Sequence, residues 1–215
     1  MRILLLGATG RTGRLVLDET LERGHPVTAL VRDAGRLGAT AATVVEGNPY
    51  EPGEIARAIE GCDAVLSALN VSRNSDNPLS SLRAPRDLMS RSVGHALDAM
   101  SKHGVRRIAV ISSIGIGDSK PRMPAIVRGI MALTNIRHAM RDHERQEQLL
   151  RDSDLDWTIV RPALLHDGDP GELRVATTLA EPIGGKTSRR TVARFLVQVI
   201  EDSSYIHQAP SITDG

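Results

Sequence analysis

The sequence predicts a single-domain α/β fold in which helices cover both faces of a doubly wound, mainly parallel sheet. Three observations lead to this fold class. The chain has 215 residues, a length that one hydrophobic core can serve. Short β-rich runs alternate with longer helical patterns, and no repeat or compositionally distinct linker interrupts them. We therefore expect one domain over residues 1–215.

The individual elements follow from local patterns. The predicted strands are short runs rich in branched aliphatic side chains: Ile3–Leu6, Val27–Val31, Thr43–Glu46, Ala64–Ala68, Ile108–Ser112 and Trp157–Val160. The predicted helices lie between and after them: Arg14–Arg23, Glu54–Glu60, Ala84–His103, Ala125–Leu133, His138–Arg151 and Thr191–Glu201. This alternation favours right-handed crossovers, which place successive strands in parallel.

Three stretches have little periodicity, and each follows a predicted strand. They are Val71–Ser81, Gly115–Pro124 and His166–Lys186. In an open α/β sheet, ligands bind beyond the carboxyl ends of the strands. We therefore expect these stretches to form the walls of a substrate pocket, the last of them as small C-terminal segments.

Composition excludes several classes of partner. The net charge is +1 and aromatic residues make up 2% of the chain, so neither a basic surface nor stacking platforms for nucleic acid are expected. No apolar run reaches the roughly 18 residues of a membrane span, and no membrane partner is expected. Cys62 is the only cysteine, which rules out an intrachain disulfide and favours a cytoplasmic location.

A glycine-rich loop follows the first strand directly and leads into a helix. Gly7 permits a tight turn, Gly10 lets the backbone approach a pyrophosphate, and Gly13 allows the helix to pack closely on the strand. The amino terminus of the helix then offers free N–H groups to the phosphates. Three side chains of the loop could add donors: Thr9, Arg11 and Thr12. A purely structural turn is the alternative, but the position of the loop favours a dinucleotide site.

The end of the second strand indicates which dinucleotide is bound. An acidic residue here would bind the ribose hydroxyls of NADH, whereas an arginine would pair with the 2′-phosphate of NADPH. Arg32 comes first and Asp33 follows it, so NADPH is expected more than NADH. The alternative is a solvated arginine beside Asp33.

The sequence resembles the atypical short-chain dehydrogenase/reductase superfamily at three segments. They are the glycine-rich loop at residues 7–13, Leu30-Val31-Arg32-Asp33, and Leu155-Asp156-Trp157-Thr158-Ile159-Val160-Arg161-Pro162. Within this superfamily, the chain is most similar to the small NAD(P)H-binding branch of biliverdin-IXβ and flavin reductases. Asp142-His143-Glu144-Arg145 and the Ser112-Ser113 pair support that choice.

The resemblance implies hydride transfer from NADPH to a small-molecule acceptor, namely a flavin, a bilin or a quinone-like compound. It implies cofactor contacts from the loop residues and Arg32, and from Leu69 after the fourth strand. It also places Ser113 near the nicotinamide. The turn around the carboxamide would comprise Pro162, Ala163, Leu164 and Leu165. Relatives usually have Gly-Asp after the third strand, so here the Asn48 amide would contact the adenine.

The chemistry must proceed without the usual tyrosine. Ordinary short-chain dehydrogenases use a Tyr and a Lys four residues apart, but Tyr50 is followed by Glu54 and Tyr205 by Ala209 at that spacing. An acceptor that takes hydride without a dedicated proton donor is therefore preferred. Flavins, bilins and quinones meet this condition.

Two further positions are candidate catalytic groups. His143 falls where the superfamily's lysine would lie and, titrating near neutral pH, could orient the ribose or relay a proton. The alternatives are an exposed histidine paired with Glu147 or, less favoured by the spacing, a metal site with His138. No metal is expected. Ser112 and Ser113 end the fifth strand, where a hydroxyl can face the nicotinamide or bond the backbone.

Two other functions stay open from the sequence alone. One is an NAD(P)H-binding redox sensor that binds the dinucleotide without turnover. The other is a reductase or isomerase of an unknown small metabolite. The protein is expected to be a monomer or a small homo-oligomer.

Overall fold

A mostly parallel sheet of eight strands forms the centre of the protein, which a computed structural model describes over residues 1–75, 77–181 and 183–214. These residues contain ten strands, of which eight form the central sheet: β1 (Ile3–Leu6), β2 (Val27–Val31), β3 (Thr43–Glu46), β4 (Ala64–Ser67), β5 (Arg107–Ile111), β6 (Asp156–Pro162), β7 (Leu164–His166), β8 (Arg174–Ala176), β9 (Lys186–Ser188) and β10 (Ser211–Thr213). Their order in the sheet is β3-β2-β1-β4-β5-β6-β10-β8, which confirms the predicted doubly wound Rossmann arrangement. β7 and β9 pair in parallel as a separate small sheet.

Helices cover both faces of this sheet. They are α1 (Arg11–Glu22), α2 (Glu54–Ala58), α3 (Leu88–His103), α4 (Ala125–Ala132), α5 (Ile136–Arg151) and α6 (Arg189–Glu201). Side chains of β1 alternate between two apolar clusters, with Ile3 and Leu5 on the face of α1 and α6, and Leu4 and Leu6 on the face of α2 and α3. All four are fully buried. Such a strand, apolar on both faces, is what a central parallel strand requires.

The six predicted strands and six predicted helices are all present, with ends that differ by a few residues. The largest difference is at α3, which begins at Leu88 rather than at Ala84. Pro85 disfavours helical backbone at the residue before it. In addition, the buried carboxylate of Asp142 accepts hydrogen bonds from the backbone N–H groups of Met89 and Ser90, which fixes the first turn there.

The segments predicted to be irregular contain short elements. Gly117–Arg122 is a 3-10 helix, β8 lies in the stretch from His166 to Lys186, and β9 begins at the last residue of that stretch. Strands of three residues carry too little periodicity to be recognised from sequence. Asp76 and Pro182, which belong to two of the predicted pocket segments, lie outside the described residues.

Within the part of the chain that the structure describes, no helix has the length and apolarity needed to cross a membrane.

Candidate functional site

The glycine loop joins β1 to α1 at the carboxyl edge of the sheet. Gly7 has φ +91°, and a Cβ there would lie 2.9 Å from the carbonyl carbon of Ala68 at the end of β4. A Cβ on Gly13 would lie 2.0 Å from the carbonyl oxygen of Gly7. Gly10 is less constrained, because its Cβ would approach that oxygen only to 3.3 Å. The fold itself therefore requires glycine at the first and third positions more than at the second.

A carboxylate lies beside the amino terminus of α1. The guanidinium groups of Arg11 and Arg189 both pair with Asp167, at 2.7 Å in the case of Arg189. The hydrogen bond from Arg11, assisted by the charge of Arg189, lowers the pKa of Asp167. Gly10, which caps the helix, provides no side-chain hydrogen bond. A shallow cavity of about 420 Å³ adjoins this group and Thr9.

Asp167 and Arg189 were not singled out by the sequence. Asp167 lies 156 residues beyond Arg11 in the sequence, and Arg189 lies farther still, so no local pattern connects these two residues with Arg11. What brings them together is the pairing of β7 with β9, since Asp167 directly follows β7 and Arg189 directly follows β9.

The end of β2 presents Arg32 to solvent. Asp33 is engaged elsewhere, because its Oδ1 accepts a hydrogen bond of 3.0 Å from the N–H of Gly35. Over the described ranges, Arg32 is exposed and has no hydrogen bond or ion pair, so both the 2′-phosphate contact and the alternative of a solvated arginine beside Asp33 stay open. Arg14 donates to the carbonyl oxygens of Leu37 and Arg36 and so ties this loop to α1. The guanidinium of Arg32 is thus displayed on a loop that is anchored beside the glycine loop.

Two other predicted cofactor residues follow β3 and β4. Asn48 is half-buried, and its Oδ1 accepts a hydrogen bond of 3.2 Å from the N–H of Tyr50. Its oxygen is therefore used in a local turn, which leaves the Nδ2 group as the donor for an adenine. Leu69 is half-buried and adjoins Gly7: a Cβ added to Gly7 would lie 3.1 Å from the backbone nitrogen of Leu69.

A cavity of about 930 Å³ opens at the carboxyl ends of β4, β5 and β6. Several residues predicted from the sequence line it together: Arg11, Thr12, Leu69, Ser112, Ser113, His143, Pro162, Ala163, Leu164 and Leu165. Aliphatic and methionine side chains form much of the remaining wall: Met123, Val127, Met131, Ile136 and Met140. Arg32 and Asn48 do not line this cavity. The two ends of the predicted site are thus separate along the sheet edge, as an extended dinucleotide requires.

The two serines after β5 differ in environment. Ser112 is buried and its Oγ donates a hydrogen bond of 2.7 Å to Oε1 of Glu147. Ser113 is half-buried, and its Oγ donates to the carbonyl oxygen of Ile114 at 3.1 Å. A contact of the Ser113 hydroxyl with a ligand requires rotation away from that carbonyl, whereas the Ser112 hydroxyl is committed to a buried carboxylate.

Glu147 belongs to a buried ionic network that the sequence analysis missed. Arg161 of β6 donates to both of its carboxylate oxygens, from Nε at 2.9 Å and from Nη2 at 2.5 Å. The same Nη2 lies 2.6 Å from Asp118, in the segment after β5. Burial opposes ionisation of Asp118, but Arg161 outweighs it and lowers the pKa of that carboxyl. The network connects α5, β6 and the cavity wall.

His143 differs from every expectation about its environment. It is buried, and burial lowers its pKa to about 4, so it is neutral at pH 7 rather than titrating near neutrality. The alternative prediction, an exposed His143 paired with Glu147, is also wrong, because Glu147 binds Arg161 and Ser112 instead. The His143 Nδ1 has no hydrogen-bond partner among the described residues. His143 remains on the wall of the large cavity.

The cause of these errors is the inward face of α5, which is mostly polar. Its buried residues are Ala139, Asp142, His143, Gln146, Glu147 and Leu150. They recur with helical spacing, but hydrophobic periodicity does not reveal a polar stripe. Each of the charged or amide members has a defined partner; Gln146, for example, donates to the carbonyl oxygen of Ile111 at 3.1 Å.

Comparison with known proteins agrees with this geometry. A family model described as NAD(P)H-binding matches residues 7–203. The chain belongs to the NAD(P)H-binding family. Membership of this family is consistent with the atypical short-chain dehydrogenase/reductase superfamily that the sequence resembles. A nicotinamide cofactor is therefore expected in the site, and the residues around Gly10 fit one, because Gly10 is exposed and lines the smaller cavity at the amino terminus of α1.

Relatives within and around the NAD(P)H-binding family have varied names. The photosystem II assembly factor Ycf39 of Synechocystis sp. is 27% identical over 217 residues, covering 94% of this chain and 59% of that protein. The 3-diazoavenalumate denitrifying reductase of a Streptomyces species is 28% identical over 204 residues, covering 86% of this chain and 63% of that protein. The chain therefore spans less than two thirds of the length of either relative.

Solved structures show the same fold. ChuY, an anaerobillin reductase from Escherichia coli O157:H7, superimposes with a TM-score of 0.80 at 22% identity, covering 100% of this chain and 97% of that one. The oxidoreductase ylbE from Lactococcus lactis gives a TM-score of 0.81 at 18% identity, with 100% and 91% covered. At these identities the likeness establishes the Rossmann architecture.

Proposed function

We propose that the protein is an NADPH-dependent reductase that transfers hydride to a flavin, bilin or quinone-like acceptor. The observation that carries this proposal is the cavity of about 930 Å³, which runs from Arg11 and Thr12 in the dinucleotide loop to an aliphatic wall. A flat apolar molecule placed there would lie next to the expected nicotinamide position. Reductases among the relatives support the same reaction class.

The cofactor half of the proposal rests on three groups along the sheet edge. Gly10 and the amino terminus of α1 would receive the pyrophosphate, since N–H groups and the positive end of the helix dipole favour an anion there. Arg32 would pair with the 2′-phosphate and so select NADPH over NADH. When bound, the nicotinamide supplies the hydride. Pro162–Leu165 would enclose its carboxamide.

The acceptor half rests on the apolar wall. Met123, Met131 and Met140 are flexible and polarisable, so they can pack against flat acceptors of different outline. The Ser113 hydroxyl would orient the acceptor or the carboxamide. Because His143 is neutral at pH 7, it would act as a hydrogen-bonding residue in this site. Water then supplies the proton that balances the transferred hydride.

The test is NADPH oxidation by the purified protein with a panel of acceptors: FMN, biliverdin and a short-chain quinone. We expect turnover with at least one of them, and a Ser113→Ala variant should lower kcat more than it changes the KM for NADPH. A Ser80→Ala variant, at a half-buried serine that does not line the cavity, serves as the control. Absence of turnover with every acceptor would contradict the reductase proposal.

A second candidate function is a redox sensor that binds NAD(P)H without turnover. One observation favours it: the polar groups that line the cavity already have internal partners or, as with neutral His143, lack the acidic proton of an imidazolium. Ser112 is bonded to Glu147, Ser113 to a backbone carbonyl, and His143 is neutral. Tight cofactor binding together with no oxidation in the acceptor panel would select the sensor. A cytoplasmic location and a monomeric or small oligomeric state belong to both proposals.

A further inference from the structure

The wall of the large cavity carries an arginine that the proposed reaction does not yet use. Arg73 lines this cavity, in the segment that follows β4. Its backbone forms an antiparallel bridge with Leu82. Two flanking hydrogen bonds fix the hairpin, one of 2.9 Å from Arg83 N–H to the carbonyl oxygen of Ser72 and one of 3.0 Å from Asn74 N–H to Ser81. The side chain of Arg73 therefore starts from a fixed point.

The half-buried side chain of Arg73 has no protein partner among the described residues. Its Nε is buried and has no hydrogen-bond partner among residues 1–75, 77–181 and 183–214, and no described carboxylate forms an ion pair with it. A buried donor without an acceptor is costly, and a charged one more so. Because Arg73 as a whole is half-buried and lines the cavity, an acceptor atom that enters the cavity can pair with the accessible part of the guanidinium and compensate its charge. The position thus favours a ligand that brings a negatively charged oxygen.

The other cations of the cavity differ from Arg73 in this respect. Arg11 and Arg189 share the carboxylate of Asp167. Arg122 donates to the backbone carbonyl oxygens of Thr178 and Glu181. These three guanidinium groups are thus already engaged by protein oxygens.

We propose that Arg73 binds an acidic substituent of the acceptor, a carboxylate or a phosphate. The inference rests on the proposed reductase function and makes it more specific. A guanidinium presents a planar fork of donors that matches either oxyanion, while the methionine and aliphatic wall receives an apolar ring system. The acceptor is then a flat molecule with an acidic arm, and a neutral quinone is a poorer substrate.

The experiment compares ligand pairs that differ only in the acidic group. FMN and riboflavin differ by a phosphate, and biliverdin and its dimethyl ester differ in their carboxylates, so the two pairs identify which oxyanion is bound. Binding to the NADPH-loaded protein is measured directly, and kcat/KM is measured beside it. The variants are Arg73→Ala and Arg73→Lys, with Arg83→Ala as the control, because Arg83 is exposed in the same hairpin and does not line the cavity.

We expect the wild-type protein to favour the acidic member of at least one pair by about tenfold to a hundredfold, the range of a charge-assisted hydrogen bond. Arg73→Ala should abolish that preference by weakening only the acidic ligand. Arg73→Lys should keep part of the preference, and Arg83→Ala should keep all of it. The KM for NADPH should stay the same in all variants.

The inference is overturned if the wild type binds both members of each pair equally or binds none of them. It is also overturned if Arg73→Ala keeps the preference, or if that variant loses affinity for NADPH instead, which would assign Arg73 to the cofactor. Failure of the reductase proposal gives a different result, because binding would then discriminate within a pair while no acceptor is reduced.

Discussion

Replacing Glu147 with glutamine should destabilise the fold strongly. Glu147 and Arg161 are 3% and 2% exposed, and two hydrogen bonds of 2.9 and 2.5 Å join them. The change Glu147→Gln keeps the shape of the side chain but removes the charge that compensates a buried guanidinium. Ser112 loses its carboxylate acceptor in the same variant.

The size of the effect follows from this burial. Breaking a buried ion pair by removing one partner costs about 3–5 kcal/mol, because the other charge is left uncompensated. Arg161 keeps Asp118 at 2.6 Å, and the Asp118 side chain is 69% exposed, so the lower end of that range is expected. For a chain of this size, each kcal/mol lowers Tm by roughly 2–4 °C, so the variant should melt about 6–12 °C below the wild type.

The assay is thermal unfolding followed by circular dichroism, with urea unfolding to obtain the free energy. Glu144→Gln is the matched control, since Glu144 lies on the same helix but forms an exposed pair with Lys120 and should change Tm by less than about 2 °C. The double variant Glu147→Leu with Arg161→Met, which removes both charges, should recover much of the loss. Equal Tm shifts for Glu147→Gln and Glu144→Gln would refute the reasoning.

Three further predictions concern the site. Gly13→Ala should prevent stable folding, because its Cβ would lie 2.0 Å from a backbone oxygen, whereas Gly10→Ala, at 3.3 Å, should fold and lose cofactor affinity; circular dichroism and NADPH titration separate the two. Asp167→Asn should tighten NADPH binding about two- to fivefold, because it removes a carboxylate that competes with the pyrophosphate for Arg11 and Arg189; an Asp169→Asn control should not, and weaker binding in Asp167→Asn would contradict this. Finally, His143 has a folded-state pKa of about 4, which is below its unfolded-state value. The stability that neutral His143 contributes is therefore present above about pH 6.5 and is lost as the pH falls. Between pH 7 and pH 5, the free energy of unfolding measured in urea should fall by ~2 kcal/mol less in His143→Gln than in the wild type.

The features that could be predicted from the sequence are those determined locally. The run Ile3–Leu6 is apolar at every position because it is buried on both faces, and Gly7 and Gly13 stand where a Cβ would strike backbone atoms. The apolar run and the two glycines lie within a few residues of one another in the sequence, so a short window is enough to recognise them. For the same reason the six main strands and six helices could be predicted along the chain, whereas the role of Arg32, inferred from its place at the end of a strand, stays a prediction.

The missed features depend on partners that are distant in sequence. Glu147 has a buried role only because Arg161 and Ser112 meet it, and nothing in the helical pattern distinguishes it from an exposed glutamate. Asp167 and Arg189 are brought to the dinucleotide loop by the pairing of two strands of three residues each. Side chains such as these are identified by tertiary packing rather than by periodicity.

The most direct test of the central claim is a calorimetric titration of NADPH and NADH into the wild-type protein and an Arg32→Ala variant, with Lys102→Ala at the exposed end of α3 as the control. We expect one dinucleotide to bind per chain, with NADPH bound more tightly than NADH. The Arg32→Ala substitution should weaken NADPH binding about tenfold and leave NADH binding unchanged. Absence of binding for both dinucleotides, or an Arg32→Ala variant with the wild-type preference for NADPH, would contradict it.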